Sequence, residues 1–166
     1  SSGGVLIGTT TVGNSDADDL TIANSAHAGI TLRSGTSSQG AIYFSDATSG
    51  AAQYDGFLGY NQSDRAMFFG TAQATRVRID SAGRLLVGTS SRGQDDADNL
   101  TIDGSGEGTG RTGITIRSAT NTFGSIFFSD ATSGAGQYDG VVAYDHSTQT
   151  MRCLLYTSDA ADDRMR

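Results

Sequence analysis

Residues 41–51 read AIYFSDATSGA, and residues 125–135 repeat this stretch as SIFFSDATSGA. In each copy an apolar run ends in Ser-Asp and a glycine follows shortly after, which is typical of a short β-strand and its turn. The likeness extends outward, because residues 29–67 align with residues 113–151. The chain therefore contains an internal duplication, and we expect both copies to have one fold.

The composition favours strands over helices. The 166 residues include 23 Gly and neither Pro nor Trp. Lysine is absent and Glu107 is the one glutamate, so the residues that usually fill exposed helix positions are missing. Short runs of Thr, Ile, Val, Tyr and Phe, broken by Gly, Asp, Asn and Ser, predict an all-β fold. The predicted strands of the first copy lie near Val5–Gly8, Leu20–Ala23, Gly29–Arg33, Ala41–Phe44, Gly56–Tyr60, Ala66–Phe69 and Arg76–Asp80.

Alternation of apolar and polar residues predicts that one side of each strand is dry. Ile30 and Leu32 alternate with polar residues in one predicted strand, as Val77 and Ile79 do in another. The apolar side chains of each strand then share one face of a sheet.

A hairpin is predicted where the first copy ends. Residues 76–80 are expected to pair with residues 84–89, because Gly83 can adopt the positive φ that a tight turn requires. By the same likeness, the opening strand Val5–Gly8 is expected to continue a preceding hairpin.

The duplication predicts two tandem antiparallel β-modules of about 80 residues in an elongated, fibre-like arrangement. Residues 5–22 align with residues 85–102, which places the first module at residues 1–84 and a truncated second module at residues 85–152. A module of this size buries only a thin core, and its edges lack the Lys and Pro that commonly block pairing. We therefore expect a neighbouring module or a second chain to cover them.

Charge and composition argue against several classes of function. The net charge of −7 and the scattered Arg residues argue against a nucleic-acid surface, which needs clustered cations. No apolar run approaches the roughly 20 residues of a membrane-spanning helix, so no membrane insertion is expected. His27 and His146 occupy unrelated positions in the two copies and Cys153 is the one cysteine, so no zinc site and no cofactor are expected.

Two acidic clusters are candidates for calcium binding, since carboxylate oxygens are the ligands that Ca²⁺ prefers. Neither cluster has the regular spacing of a calcium loop with its closing glutamate, so solvated acidic loops are the favoured interpretation and no metal is expected. The candidate ligands are Asp16, Asp18, Asp19, Asp95, Asp96 and Asp98.

Tyr54 with Asp55, and Tyr138 with Asp139, are candidates for contact with a glycan. Cross-strand packing of the tyrosines is the favoured alternative. Cleavage of a glycan would need two carboxylates held opposite each other, which the sequence does not reveal. Asp46 and Asp130 follow a strand in both copies, and we assign them to the turn rather than to catalysis. No enzymatic activity is predicted.

The sequence resembles one known group of proteins. Residues 76–90, RVRIDSAGRLLVGTS, are similar to a signature that recurs in tail-fibre proteins of aquatic bacteriophages. Residues 113–118, 126–130 and 137–140 resemble the same proteins.

The resemblance implies a β-rich homotrimer in the virion tail, outside the cell. It implies a structural role that spaces or contributes to recognition of the host surface, and it supplies no catalytic residues. A secreted bacterial or prophage-derived adhesin is the alternative, and a glycan-degrading tailspike is less favoured.

The end of the chain departs from the repeat. Residues 153–162 read CLLYTSDAAD, which resembles the translation of a transposon adapter used in sequencing libraries. We therefore interpret residues 153–166 as a non-native tail, and the carboxylates of that tail are left out of every candidate site.

Overall fold

The computed structural model describes residues 4–107 and 111–155, and in these ranges most regular structure is β-strand. Three short 3-10 helices lie at Ala51–Tyr54, Ser105–Glu107 and Ala135–Tyr138. The predicted all-β class is confirmed. The strands are β1 (Val5–Ile7), β2 (Leu20–Ile22), β3 (Gln39–Phe44), β4 (Gly56–Asn61), β5 (Ala66–Thr71), β6 (Ala74–Ile79), β7 (Leu85–Val87), β8 (Leu100–Ile102), β9 (Phe123–Phe128), β10 (Gly140–Asp145) and β11 (Thr150–Leu155).

The chain divides into two compact units between residues 112 and 113. In the first unit, a six-stranded sheet has the order β3-β4-β5-β6-β7-β8, and β1 pairs with β2. In the second, a three-stranded sheet has the order β11-β10-β9. The opening strands of the second repeat, β7 and β8, thus complete the sheet of the first unit. The module boundary at residue 84 was derived from the sequence repeat, and as a domain boundary it stays a prediction.

Most neighbouring strands are antiparallel, but β1–β2 and β7–β8 are parallel. The expectation of antiparallel pairing throughout is therefore wrong at these two ladders. A parallel pair needs a long return connection, which residues 8–19 and 88–99 supply. Gly8 and Gly88 begin these returns with φ of 75° and 74°, and a Cβ at either would collide with a backbone carbonyl oxygen. Only glycine fits both constraints.

The predicted hairpin at the end of the first repeat is confirmed. β6 and β7 are antiparallel, with Val77 opposite Val87. Gly83 has φ of 83° in the connecting turn, where its amide donates a hydrogen bond to the Asp80 carbonyl at 2.9 Å. The turn therefore has the conformation that the glycine predicted.

The predicted strand at Gly29–Arg33 is wrong, because the segment joins no ladder. Leu32 lies against Gly40 of β3, and in the second unit Ile116 lies in the same way against Gly124. The missing side chain of each glycine lets this segment approach the sheet. The apolar alternation is thus real but belongs to a segment that lies over the sheet, with Ile30 still 61% exposed.

The register separates two faces of the six-stranded sheet. Phe57 lies opposite Tyr43 and Gly70, whereas the next residue, Leu58, lies opposite Ile42 and Phe69. Residues opposite each other share a face, and neighbours along a strand point to opposite faces. What we call the cleft face includes Gln39, Tyr43, Phe57, Asn61, Phe68, Thr75 and Arg78. What we call the apolar face includes Ile42, Phe44, Leu58, Tyr60, Met67, Phe69, Val77 and Ile79.

Among the described residues of the first unit, no segment covers the apolar face enough to bury it. Phe44 is 65% exposed, Ile42 46% and Phe69 42%. The buried apolar residues of the described chain are Ala66 and Leu86 in the first unit and Val141 and Ala143 in the second. The core is therefore small. The face that we expected to be buried is apolar, but much of it is exposed.

On the cleft face, two aromatic rings replace the side chains that glycines lack. The Phe68 ring covers Gly59 and the Phe57 ring covers Gly70, each across one ladder. The two rings meet edge to face with centroids 5.7 Å apart. Such a pair contributes about 0.5–1.5 kcal/mol beyond the area that it buries.

We expect Gly70→Ala to destabilise the first unit by about 1–3 kcal/mol, because the new methyl group overlaps the Phe57 ring. Urea unfolding measures the change. Gly29→Ala is the matched control, since no atom lies within 4 Å of the new methyl group there. Equal stability of the two variants would contradict the packing described.

Candidate functional site

A cleft of about 500 Å³ opens on the cleft face of the first unit. Strands β3 to β6 supply its floor, the 3-10 helix supplies Tyr54, and the β5–β6 turn supplies Gln73. Its lining is about half polar, with aromatic rings beside carboxamides. The lining residues are Gln39, Tyr43, Tyr54, Phe57, Asn61, Phe68, Gln73, Thr75 and Arg78.

The aromatic side chains of the cleft differ in exposure. Phe57 and Phe68 are held against the sheet by their glycine partners. Tyr43 and Tyr54 are 49% and 45% exposed. The phenylalanines thus form the floor, while the tyrosines offer ring surface and hydroxyl groups to a ligand.

Hydrogen bonds fix the amide groups of the cleft. Gln39 Nε2 donates to the Tyr43 hydroxyl at 3.0 Å. Asn61 Oδ1 accepts the Ser63 backbone N–H at 2.9 Å, which sets the plane of the Asn61 amide. Donors and acceptors therefore line the cleft in defined positions.

The arginine of the cleft has a carboxylate partner, and a second carboxylate at the rim accepts a hydrogen bond from a carboxamide. Arg78 Nη2 lies 3.4 Å from Asp64 Oδ2, and Gln73 Nε2 donates to Asp55 Oδ1 at 3.2 Å on the rim. The guanidinium thus has a carboxylate partner, and the cleft offers chiefly neutral hydrogen-bonding groups.

The four predicted glycan contacts divide between the units. Tyr54 lines the cleft and Asp55 lies at its rim. Tyr138 is 52% exposed in the second unit, where its ring lies 6.0 Å from Phe127, and Asp139 follows it. Sugar contact by these residues stays a prediction.

The remaining cleft residues were missed by sequence reasoning. Gln39, Asn61 and Arg78 come together because they lie on one face of β3, β4 and β6, and Gln73 joins them from a turn. The one signal available in the sequence was a polar residue within each strand. Such a residue can be assigned to a face of the sheet only when the register is known.

The calcium candidates do not converge. Among residues 4–107 and 111–155, no three His, Cys, Asp or Glu side chains are placed to hold a metal ion. Asp98 accepts a hydrogen bond from Arg84 at 2.8 Å, and Asp95 lies 2.8 Å from Arg92. Two of the candidates therefore neutralise arginines.

Arg84 joins the predicted hairpin to the acidic loop that follows. Its guanidinium donates to Asp80 at 2.7 Å as well as to Asp98. The hydrogen bond from Arg84 is the main cause that lowers the pKa of both carboxyl groups below the ordinary value. Folding therefore favours the charged carboxylates.

The sign of this linkage predicts acid sensitivity. Carboxyl groups with lowered pKa values stabilise the fold above their unfolded pKa of about 3.9, and the contribution is lost as the pH falls through the folded values. We expect Arg84→Gln to lower stability at pH 7 and to reduce its fall below pH 4. Urea unfolding at both pH values tests this, with Arg33→Gln as the control. An unchanged acid dependence in Arg84→Gln would contradict it.

A pair of carboxyl groups forms in the second unit. The hydrogen bond between Asp130 and Asp139 is the main cause that raises the pKa of Asp139, and burial adds to it. Gly136 leaves room for the pair, since a Cβ there would lie 2.7 Å from Asp130 Oδ1. The first repeat has Ala52 at the equivalent position. From the sequence we assigned Asp130 to a turn and did not predict its contact with Asp139.

We expect Asp130→Asn to lower the pKa of Asp139, because the substitution removes the neighbouring charge and offers an amide donor to the carboxylate. Titration of the side-chain carboxyl carbon by NMR measures it. Asp46→Asn, the equivalent change in the first repeat, is the control and leaves Asp139 unchanged. A pKa of Asp139 that stays raised in Asp130→Asn would contradict the pairing.

In the described residues of the second unit, a histidine packs against an aromatic ring and the cysteine lies exposed on a strand. The His146 ring meets Tyr144 edge to face at 4.9 Å. Cys153 is an exposed thiol opposite Val142 in β11. Cys153 to Leu155 of the predicted non-native tail complete β11, and the rest of that tail lies outside the described residues. The origin of the tail stays a hypothesis.

Comparison with known proteins found no matching family model, no similar curated protein and no similar solved structure. Within the described ranges, no helix has the length and apolar character that crossing a bilayer requires. The surfaces of the two units are therefore the features from which a function can be inferred.

Proposed function

We propose that the chain is a repeat segment of an extracellular attachment fibre of the phage tail-fibre kind, and that sister copies of the chain cover its apolar face. Its role is mechanical: it spaces a recognition surface from the virion or contributes to that surface. The observation that carries the proposal is an apolar sheet face that both repeats retain.

The two repeats are much more alike on one face of the sheet than on the other. The apolar face has the identical pairs Ile42/Ile126, Phe44/Phe128, Tyr60/Tyr144 and Met67/Met151, and the unlike pairs Leu58/Val142 and Phe69/Cys153. The cleft face has the unlike pairs Gln39/Phe123, Tyr43/Phe127, Phe57/Val141, Asn61/Asp145 and Phe68/Arg152. A shared requirement thus acts on the apolar face, which supports assembly through it.

A second copy of this chain is the partner that best fits the apolar face. Phe128 is 59% exposed and Met151 68% in the second unit, as Phe44 and Phe69 are exposed in the first. Like surfaces on every copy can pack on one another about a symmetry axis. The resemblance to tail fibres favours three copies, and a bacterial or prophage-derived adhesin with the same assembly is the alternative.

We expect the chain to sediment as a trimer, and Phe69→Asp to sediment as a monomer because it places a charge in the apolar interface. Thr75→Asp adds the same charge to the cleft face of the same sheet and keeps the trimer. Analytical ultracentrifugation measures the mass, and circular dichroism checks that each variant retains its strands. A folded wild-type monomer would overturn the proposal.

A further inference from the structure

We propose that the cleft of the first unit binds an uncharged saccharide, and that the second repeat does not share this site. The inference depends on the proposed function in one respect: sister copies on the apolar face leave the opposite, cleft face open to solvent. Neither the duplication nor the resemblance distinguishes the two repeats in this way.

The rings of Tyr43 and Tyr54 provide the apolar part of the site. About half of each side chain is exposed at the cleft, and the phenylalanine floor below is fixed by the glycines of β4 and β5. The face of an aromatic ring carries a negative quadrupole, which attracts the polarised C–H groups on one side of a pyranose ring. A sugar is therefore complementary to these rings.

The carboxamides supply the polar part. Asn61 Oδ1 accepts hydrogen bonds from the turn that follows, and Gln39 and Gln73 each donate one N–H within the protein. The amide donors of Asn61 and the carbonyl oxygens of Gln39 and Gln73 suit neighbouring sugar hydroxyl groups. The Tyr43 hydroxyl accepts from Gln39 and keeps its own proton as a donor. Arg78 is paired with Asp64, so a ligand with a charge would have to compete with that ion pair. The chemistry favours a neutral ligand.

A strained turn presents Gln73. Ala72 and Gln73 form the two-residue β5–β6 loop with φ of 50° and 64°. Hairpin loops with positive φ at both positions favour Asn-Gly, and other residues there cost stability. The backbone N–H of Gln73 donates to the Asp55 carbonyl at 3.0 Å, which ties this turn to the 3-10 helix that carries Tyr54. The turn thus places an amide side chain at the cleft.

The second repeat has lost this chemistry. Phe123 replaces Gln39, and Asp145, which replaces Asn61, is only 3% exposed and paired with Arg152 at 3.0 Å. Arg152 in turn replaces Phe68 of the cleft floor. The carboxamides of the first unit thus give way to an aromatic ring and to an ion pair between the buried Asp145 and the half-exposed Arg152.

The test uses saturation-transfer NMR on the full chain with four neutral probes (maltotetraose, cellotetraose, mannotetraose and chitotetraose) and with trigalacturonate as the acidic one. We expect transfer to at least one neutral probe and a weak, millimolar to micromolar affinity. The double variant Ala72→Asn with Gln73→Gly should raise the urea midpoint and weaken that affinity about tenfold. Tyr43→Ala should weaken it by at least as much.

Gln149→Gly is the matched control, because Gln149 has φ of 57° in the second unit, outside the cleft. It should raise the urea midpoint and leave saccharide binding unchanged. Absence of transfer to every neutral probe, preference for trigalacturonate, or full binding by the double variant would each overturn the inference. Sedimentation of the same samples separates the two proposals: a monomer that binds sugar contradicts the proposed function alone, and a trimer that binds none contradicts this inference alone.

Discussion

A sheet has two faces, and this chain contains too little apolar material to cover both. The six strands β3 to β8 place Phe and Ile side chains on the apolar face, yet the segment that crosses it leaves Phe44 and Ile42 about half exposed. Exposed apolar surface of this extent is unfavourable in water, by about 25 cal/mol for each Å². The association that we propose would remove this cost, because sister copies would cover the apolar face.

The cleft face is maintained by different means. Where a ring crosses the ladder, its partner is glycine: Phe68 covers Gly59 and Phe57 covers Gly70. In the second repeat the rings are gone, and so are the glycines. Ala143 stands opposite Arg152, and Leu154 opposite Val141. The ring and the glycine thus change together, as expected if one fills the space that the other leaves. The two repeats reach a packed surface by unlike solutions on a common backbone.

The sequence was sufficient for what depends on local chemistry. Strand positions followed from β-forming runs broken by Gly and Asp, and the hairpin followed from Gly83. The sequence was insufficient where the structure depends on which strands pair and in which direction. Three-residue strands such as β1 and β7 carry no mark of parallel direction, and alternation in residues 29–33 describes an exposed face without revealing that the segment lies over the sheet. The cleft depends on register, because a slip of one residue would turn Gln39 and Asn61 to the other side.

Under the proposed function, duplication lets one chain serve assembly and recognition at once. A face that packs on its own copies is constrained in every repeat, because a substitution there acts on each interface of a symmetric assembly. The opposite face meets solvent and is constrained only by its own ladder contacts. Asn61 and Asp145 show the difference, since both accept hydrogen bonds from the turn that follows their strand, yet one lines a cleft and the other binds Arg152. The turn fixes the backbone in both repeats, so the side chains on the cleft face are free to differ in their chemistry.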